Sequence, residues 1–219
     1  MEKKKGTKKE DTKEKAIKGE RKEENKVLRA ILLFVGIFFL VLLVSFFLIR
    51  TPTHQRYGGL TFKITQEGEL TFYHTSFPII YKGNPTEYNV YLRNNPKELV
   101  KKVPFDGEID SIQNTVINIT KEFDCEGDQI IAIANIVNVY NAIGKDIMKD
   151  ENASCDESGR YMYIVVQPGE STSVEQFGPS CYSINIKDCE ILQGTERFIL
   201  ELLSEYHSEI YEKGGMEIS

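Results

Sequence analysis

Four cysteines offer the most chemistry in this chain: Cys125, Cys155, Cys181 and Cys189. Zinc sites favour close spacings such as C-x₂-C with histidine nearby. Here 29, 25 and 7 residues intervene, so no metal ligand is assigned. One feature supports thiol-redox work: Cys125 lies three residues before a predicted helix start, where the helix dipole would stabilise a thiolate. No C-x-x-C accompanies it. Structural pairing is the favoured reading, and four cysteines allow three pairings. If 181–189 is one strand, eight steps of about 3.3 Å separate its ends by roughly 26 Å, whereas a disulfide spans about 4.4–6.8 Å between Cα atoms. Cys181 and Cys189 should therefore each join Cys125 or Cys155, in an order that spacing leaves open.

Other constellations are weaker. His54, His74 and His207 are scattered, and no Ser/His/Asp set, hence no catalytic residue, is assigned. Asp106, Glu108 and Asp110 match the first three oxygen positions of a calcium loop, but Ser111 replaces the glycine at six and Ile117 the glutamate at twelve. That stretch and the acidic run Asp150-Glu151-Asn152 with Asp156-Glu157 read as solvated loops. The pairs Gly58-Gly59 and Gly214-Gly215 lack phosphate-cradle spacing, and no cofactor is expected. Asn118 and Asn152 begin N-x-[ST] glycosylation acceptors.

The chain that positions these residues has 219 residues, 41% of them apolar and 27% charged, with no tryptophan and a net charge of −6. That composition fits one domain, at most two small ones, and excludes disordered, collagen-like and cysteine-dense chains. The averages conceal a division. Residues 1–29 carry 12 Lys/Arg against 7 Asp/Glu, a balance of +5; residues 51–219 carry 14 against 26, a balance of −12.

Between them lie twenty uncharged residues, Ala30 to Ile49. At about 1.5 Å per residue they span the roughly 30 Å bilayer core as a helix. A cleaved signal peptide has an apolar region of about 7–15 residues and a small-residue cleavage site. This run is longer and exits through Phe-Phe-Leu-Ile-Arg50-Thr-Pro, so it reads as a retained signal anchor over 27–49. Lys18, Arg21, Lys22, Lys26 and Arg29 precede it, against Arg50 and Arg56 after it, which puts the N-terminus in the cytoplasm and the rest outside. All four cysteines fall on that outer side, where disulfides persist. The tail 1–26 has almost nothing to bury and reads as disordered; its interleaved acids argue against nucleic-acid binding.

After a linker over 50–59, residues 60–213 read as one extracytoplasmic α+β domain with a mostly antiparallel sheet and packed helices, and 214–219 as a flexible end. Leu60, Phe62 and Ile64, then Leu70 and Phe72, alternate about a turn at Gln66-Glu67-Gly68 and predict a hairpin. Tyr88, Val90 and Leu92 predict another strand. Asn95-Pro96-Lys97-Glu98 predicts a capped helix to about Lys102. Thr115–Ile119 reads as strand and the run after Asp128 as helix to Gly144. Tyr161–Gln167 reads as a strand turning through a type II turn at Pro168-Gly169 into Ser171–Glu175. Tyr182, Ile184 and Ile186 predict a strand with one wet face. Thr195 is expected to cap a helix burying Phe198, Ile199, Leu202, Leu203, Tyr206 and Ile210, with Glu201, Glu205, Glu209 and Glu212 opposite.

The stretches Tyr91-Leu-Arg-Asn-Asn-Pro96, Cys181-Tyr-Ser-Ile-Asn-Ile-Lys-Asp-Cys-Glu-Ile191 and Thr195-Glu-Arg-Phe198 resemble uncharacterised single-pass membrane proteins of small-genome archaea, of the Woesearchaeota and Pacearchaeota kind. The resemblance implies an envelope location and carries over no activity and no functional residue. The expected function is an envelope binding or interaction module, with the bilayer and a protein or surface component as partners. The alternatives are a membrane-anchored, thioredoxin-like thiol-disulfide enzyme and a structural subunit of a membrane complex. Against the subunit, Gly36 is followed at the fourth position by Leu40, so the span has no GxxxG face.

Overall fold

The computed structural model describes residues 26, 28–46, 54–110 and 112–212. The expectations for the tail 1–26, Lys26 apart, and for Arg50, Ser111 and residues 214–219 lie outside them. The N-terminal part and the part from Thr53 onward are separate compact units. In the first, helix α1, Leu28–Phe46, has 19 residues and is long and apolar enough to cross a membrane. Its side chains are exposed nearly throughout, Phe34 to 74%.

The second unit is α+β. Its first sheet is antiparallel throughout, in the order β1-β2-β3-β4, from His54–Tyr57, Leu60–Glu67, Leu70–Tyr81 and Asn84–Leu92. The predicted hairpin is β2–β3, and Tyr88, Val90 and Leu92 lie on β4. Strand β1 falls inside the stretch expected to be linker; Gln55 is buried and Tyr57 packs against the core, so the fold begins earlier than hydropathy alone indicates. The turn between β1 and β2 needs glycine. Gly58 and Gly59 have φ of +53° and +77°, and a Cβ on either would meet Ser204 or His207 at 2.6 Å or less.

Helix α2, Pro96–Lys102, follows with the predicted cap: the Asn95 side chain accepts from Lys97 N at 3.0 Å. The second sheet takes β5 (Phe105–Asp106), β6 (Asn114–Ile119), β7 (Asp146–Lys149), β8 (Met162–Pro168), β9 (Ser173–Gly178) and β10 (Cys181–Ile186) in the order β5-β9-β10-β8-β6-β7. Only β9–β10 is antiparallel there; the other pairings are parallel. The antiparallel sheet foreseen is thus half of the architecture, joined to a largely parallel one. Helix α3, Asp128–Ala142, makes the crossover between the parallel neighbours β6 and β7.

Three local expectations change here. Strands β8 and β9 do not form a hairpin, because β10 lies between them. Gly169 has no positive φ, so no type II turn forms; its N–H instead donates to Ile186 O at 2.8 Å. Strand β10 has no wet face, since Ser183 is only 6% exposed. Interior parallel strands are covered on both sides, and Met162–Val166 of β8 are buried without interruption.

Helix α4, Ile191–Glu212, begins four residues before the expected cap. Thr195 is internal, its hydroxyl donating back to Ile191 O at 2.8 Å. The ring contacts of α4 reach both sheets: Phe198 meets Tyr182 of β10 edge-on at 5.8 Å, and Tyr206 meets Phe77 of β3 at 5.6 Å. A one-sided apolar stripe was expected; α4 is instead the central helix, buried nearly all round from Ile191 to Leu203.

Candidate functional site

A helix buried on every side must place some polar residues in the core, and each then needs partners. Glu196 is fully buried on α4. Its carboxylate accepts from Arg93 N at 2.7 Å, Asn94 N at 2.9 Å and Asn94 Nδ2 at 2.8 Å, pinning the β4–α2 turn to the helix. Burial pushes its pKa up to about 7, against the lowering effect of those donors. Beside it, buried Arg197 donates through Nε to Val103 O at 3.0 Å and pairs with Glu201 one turn on. Its guanidinium lies 5.3 Å from the Phe105 ring centre and 6.0 Å from that of Tyr57. The Tyr57 hydroxyl donates to the same Glu201 at 2.5 Å, and burial raises its pKa above the usual tyrosine value. The strand β1, the helix α4 and the loop before β5 are thereby tied through one cation.

At the open end of this seam lies a cleft of about 580 Å³, lined by Phe105, Gly107, Glu108, Ile109, Asp110, Glu201, Ser204 and Glu205. Its acidic character is partly committed. Glu201 serves Arg197 and Tyr57, and Asp110 Oδ2 accepts from Ser180 at 2.6 Å. Tyr182 orders the wall, accepting from Asp110 N at 3.1 Å and donating to Glu108 O at 2.5 Å; burial pushes its phenol up to about 12. Among the described residues no three His, Cys, Asp or Glu side chains gather to hold a metal ion. Its lining presents carboxylate and hydroxyl oxygens of Glu108, Asp110, Glu201, Ser204 and Glu205 to a polar group.

The cysteines form Cys125–Cys189, with Cα atoms 5.4 Å apart, and Cys155–Cys181, 5.7 Å apart. The pairing that spacing disfavours, Cys181–Cys189, does not form. Cys125–Cys189 ties the β6–α3 loop to the β10–α4 loop, with Cys125 buried and Cys189 exposed. Cys155–Cys181 ties the loop before β8 to the start of β10 and packs with Tyr163 and Val165 on the other face of the sheet. Of the acceptor asparagines, Asn118 sits on the interior strand β6, its amide donating to Tyr163 Oη and Glu151 O at 3.3 Å, whereas Asn152 lies in an exposed turn. In the second acidic loop, Asp156 takes hydrogen bonds from Arg160, which hold its carboxyl down to about 2. The histidines stay apart: His54 opens β1, His74 bonds Asn89 on the outer face of β3–β4 at 2.8 Å, and His207 lies on α4.

Sequence reasoning missed Glu196 and Arg197 and placed Glu201 in solvent. Leu200 carried a signal: it falls off the apolar stripe, and an apolar residue there marks a helix with a second buried face. No protein-family model, curated protein or solved structure matches the chain, so any functional assignment rests on its own residues.

Proposed function

We propose that this is a single-pass membrane-anchored protein with a cytoplasmic N-terminus, whose acidic α+β domain acts outside the cell as a binding or interaction module for a protein or surface component of the envelope. The observation that carries the reading is the use of every cysteine in two disulfides at separate places in the fold, downstream of an exposed apolar helix. Disulfides persist in oxidising compartments, and the basic residues flanking the helix favour the tail inside. The test is protease digestion of intact cells, with thiol alkylation of membranes prepared without reductant. Digestion of the domain from outside and four blocked cysteines support the reading. Protection from protease, or four alkylated thiols, overturns it.

A thiol-disulfide exchange role is favoured by one observation, the position of Cys189 in an exposed turn, in a bond whose other half, Cys125, lies three residues before α3. Rapid equilibration of Cys125–Cys189 with a glutathione buffer would support that role; a bond inert to the buffer in the folded protein would remove it.

A further inference from the structure

We propose that the outer face of the four-stranded sheet is a docking surface for the bilayer that holds α1; this rests on the anchored reading above. One side of the sheet packs on the core through Leu60, Phe62, Phe77, Val90 and Leu92. The alternate residues form the other side, and the register aligns them in rows. His54, Lys63, His74 and Tyr91 stand directly opposite one another across all four strands. His74 stacks on Tyr91 at 4.7 Å, and Phe72 meets the same ring edge-on at 6.4 Å. Tyr91 is nonetheless 49% exposed, and Leu70 on the same face 47%. Arg56 pairs with Thr61, and Ser76 with Asn89, one step along.

In a region where 26 acidic residues face 14 basic ones, these rows hold Lys63 and Arg56 and no carboxylate. Two acids share this face outside those rows, Glu67 opposite Leu70 at the β2–β3 turn and Glu87 opposite Pro78 farther back on β4, while Glu69 lies in the turn itself. Aromatic rings with a polar edge, bordered by basic side chains, are the composition that settles at headgroup depth.

Chain length selects the occupant. The first member of the long row, His54, follows the last residue of the apolar run, Ile49, by five residues. Fully extended, five residues reach at most about 18 Å. The β1 corner of this face therefore stays within reach of the headgroups, and its cationic and aromatic rows are the part of an acidic domain that an anionic bilayer attracts rather than repels.

The chain has no tryptophan, so a single introduced one reports alone. Full-length Tyr91→Trp, and Phe177→Trp on β9 as a control at a 52% exposed site of the other sheet, are reconstituted into vesicles of phosphatidylglycerol and phosphatidylcholine carrying brominated acyl chains. The expected result is blue-shifted emission from the Tyr91→Trp protein, quenched at least about twice as strongly as that from Phe177→Trp. Adding Arg56→Glu and Lys63→Glu should abolish this excess, since each surface charge changes binding about fivefold. Equal quenching at both positions, in protein that resists alkaline extraction, overturns the docking and leaves the anchor standing. Protein stripped from the vesicles by alkali overturns the anchor, and the docking with it.

Discussion

The two sheets of the outer domain bury their strands to different degrees. The six-stranded sheet is closed: β8 and β10 are covered on both faces, with helices and the core on one side and the Cys155–Cys181 cluster on the other. The four-stranded sheet packs one face on the same core and leaves the other, with its aromatic and basic rows, in solvent. Side chains enclosed twice determine stability, whereas side chains enclosed on one face only remain free to meet a partner. The domain thus separates its scaffold from its open surface, with α4 as the shared element between them.

The sharpest way to break this contrast is a truncation at the centre of the closed sheet. Ile164→Ala removes a fully buried side chain of β8 and should cost about 2–5 kcal/mol, measured by urea denaturation. Next come the disulfides. Replacing both Cys125 and Cys189 by alanine opens a 64-residue separation, and replacing Cys155 and Cys181 a 26-residue one. Loop entropy assigns these losses of about 4 and 3.5 kcal/mol. Timed reduction with mass spectrometry should open Cys125–Cys189 first, because Cys189 is exposed and Cys181 is fully buried.

The junction between the sheets is tested through Glu196. Glu196→Gln places an amide against three N–H donors and should cost about 1–3 kcal/mol. Its pH dependence has a definite sign. The folded carboxyl titrates near 7 against an ordinary value of 4.5, so between those values the folded state holds more protons than the unfolded one. This group's contribution therefore makes stability fall as pH rises from about 4.5 to about 7. The difference in unfolding free energy between native protein and the Gln variant should narrow along that interval; a constant difference would exclude Glu196 as its source. The smallest effect belongs to the open face. Tyr91→Ala removes the exposed cross-strand ring contacts with His74 and Phe72 and should cost about 1 kcal/mol or less in thermal unfolding.

Much of the chain was legible because local chemistry decided it. The helix after Asn95 follows from a side-chain acceptor and a proline placed where a helix start needs them, and the β2–β3 hairpin follows from alternation about Gly68. Pairing was not legible. The run Tyr161–Val166 lacks alternation, which is the mark of a strand enclosed on both sides, yet the nearby Pro168-Gly169 invited a hairpin. The partners of β8 are β6 and β10, the latter 18 residues away in register, as Cys181 opposite Tyr163. Of the candidate site, the carboxylates at 108 and 110 were noticed as a failed calcium loop, while the cleft they line was not, because its other wall comes from α4 about ninety residues later.

The apolar run, the basic and acidic halves and most of the helical and extended segments are properties of neighbouring residues, and the sequence alone determined them; it only disfavoured a Cys181–Cys189 bond. Tertiary structure decided which cysteines met, which strands ran parallel, and whether Glu196, Arg197 and Glu201 faced water or partners inside the fold. Those outcomes depend on burial, and burial is shared between segments far apart in the chain. A glutamate on an amphipathic helix is a solvent residue until a second sheet covers that side; only then does it need the turn at Arg93 and Asn94 that the first sheet supplies.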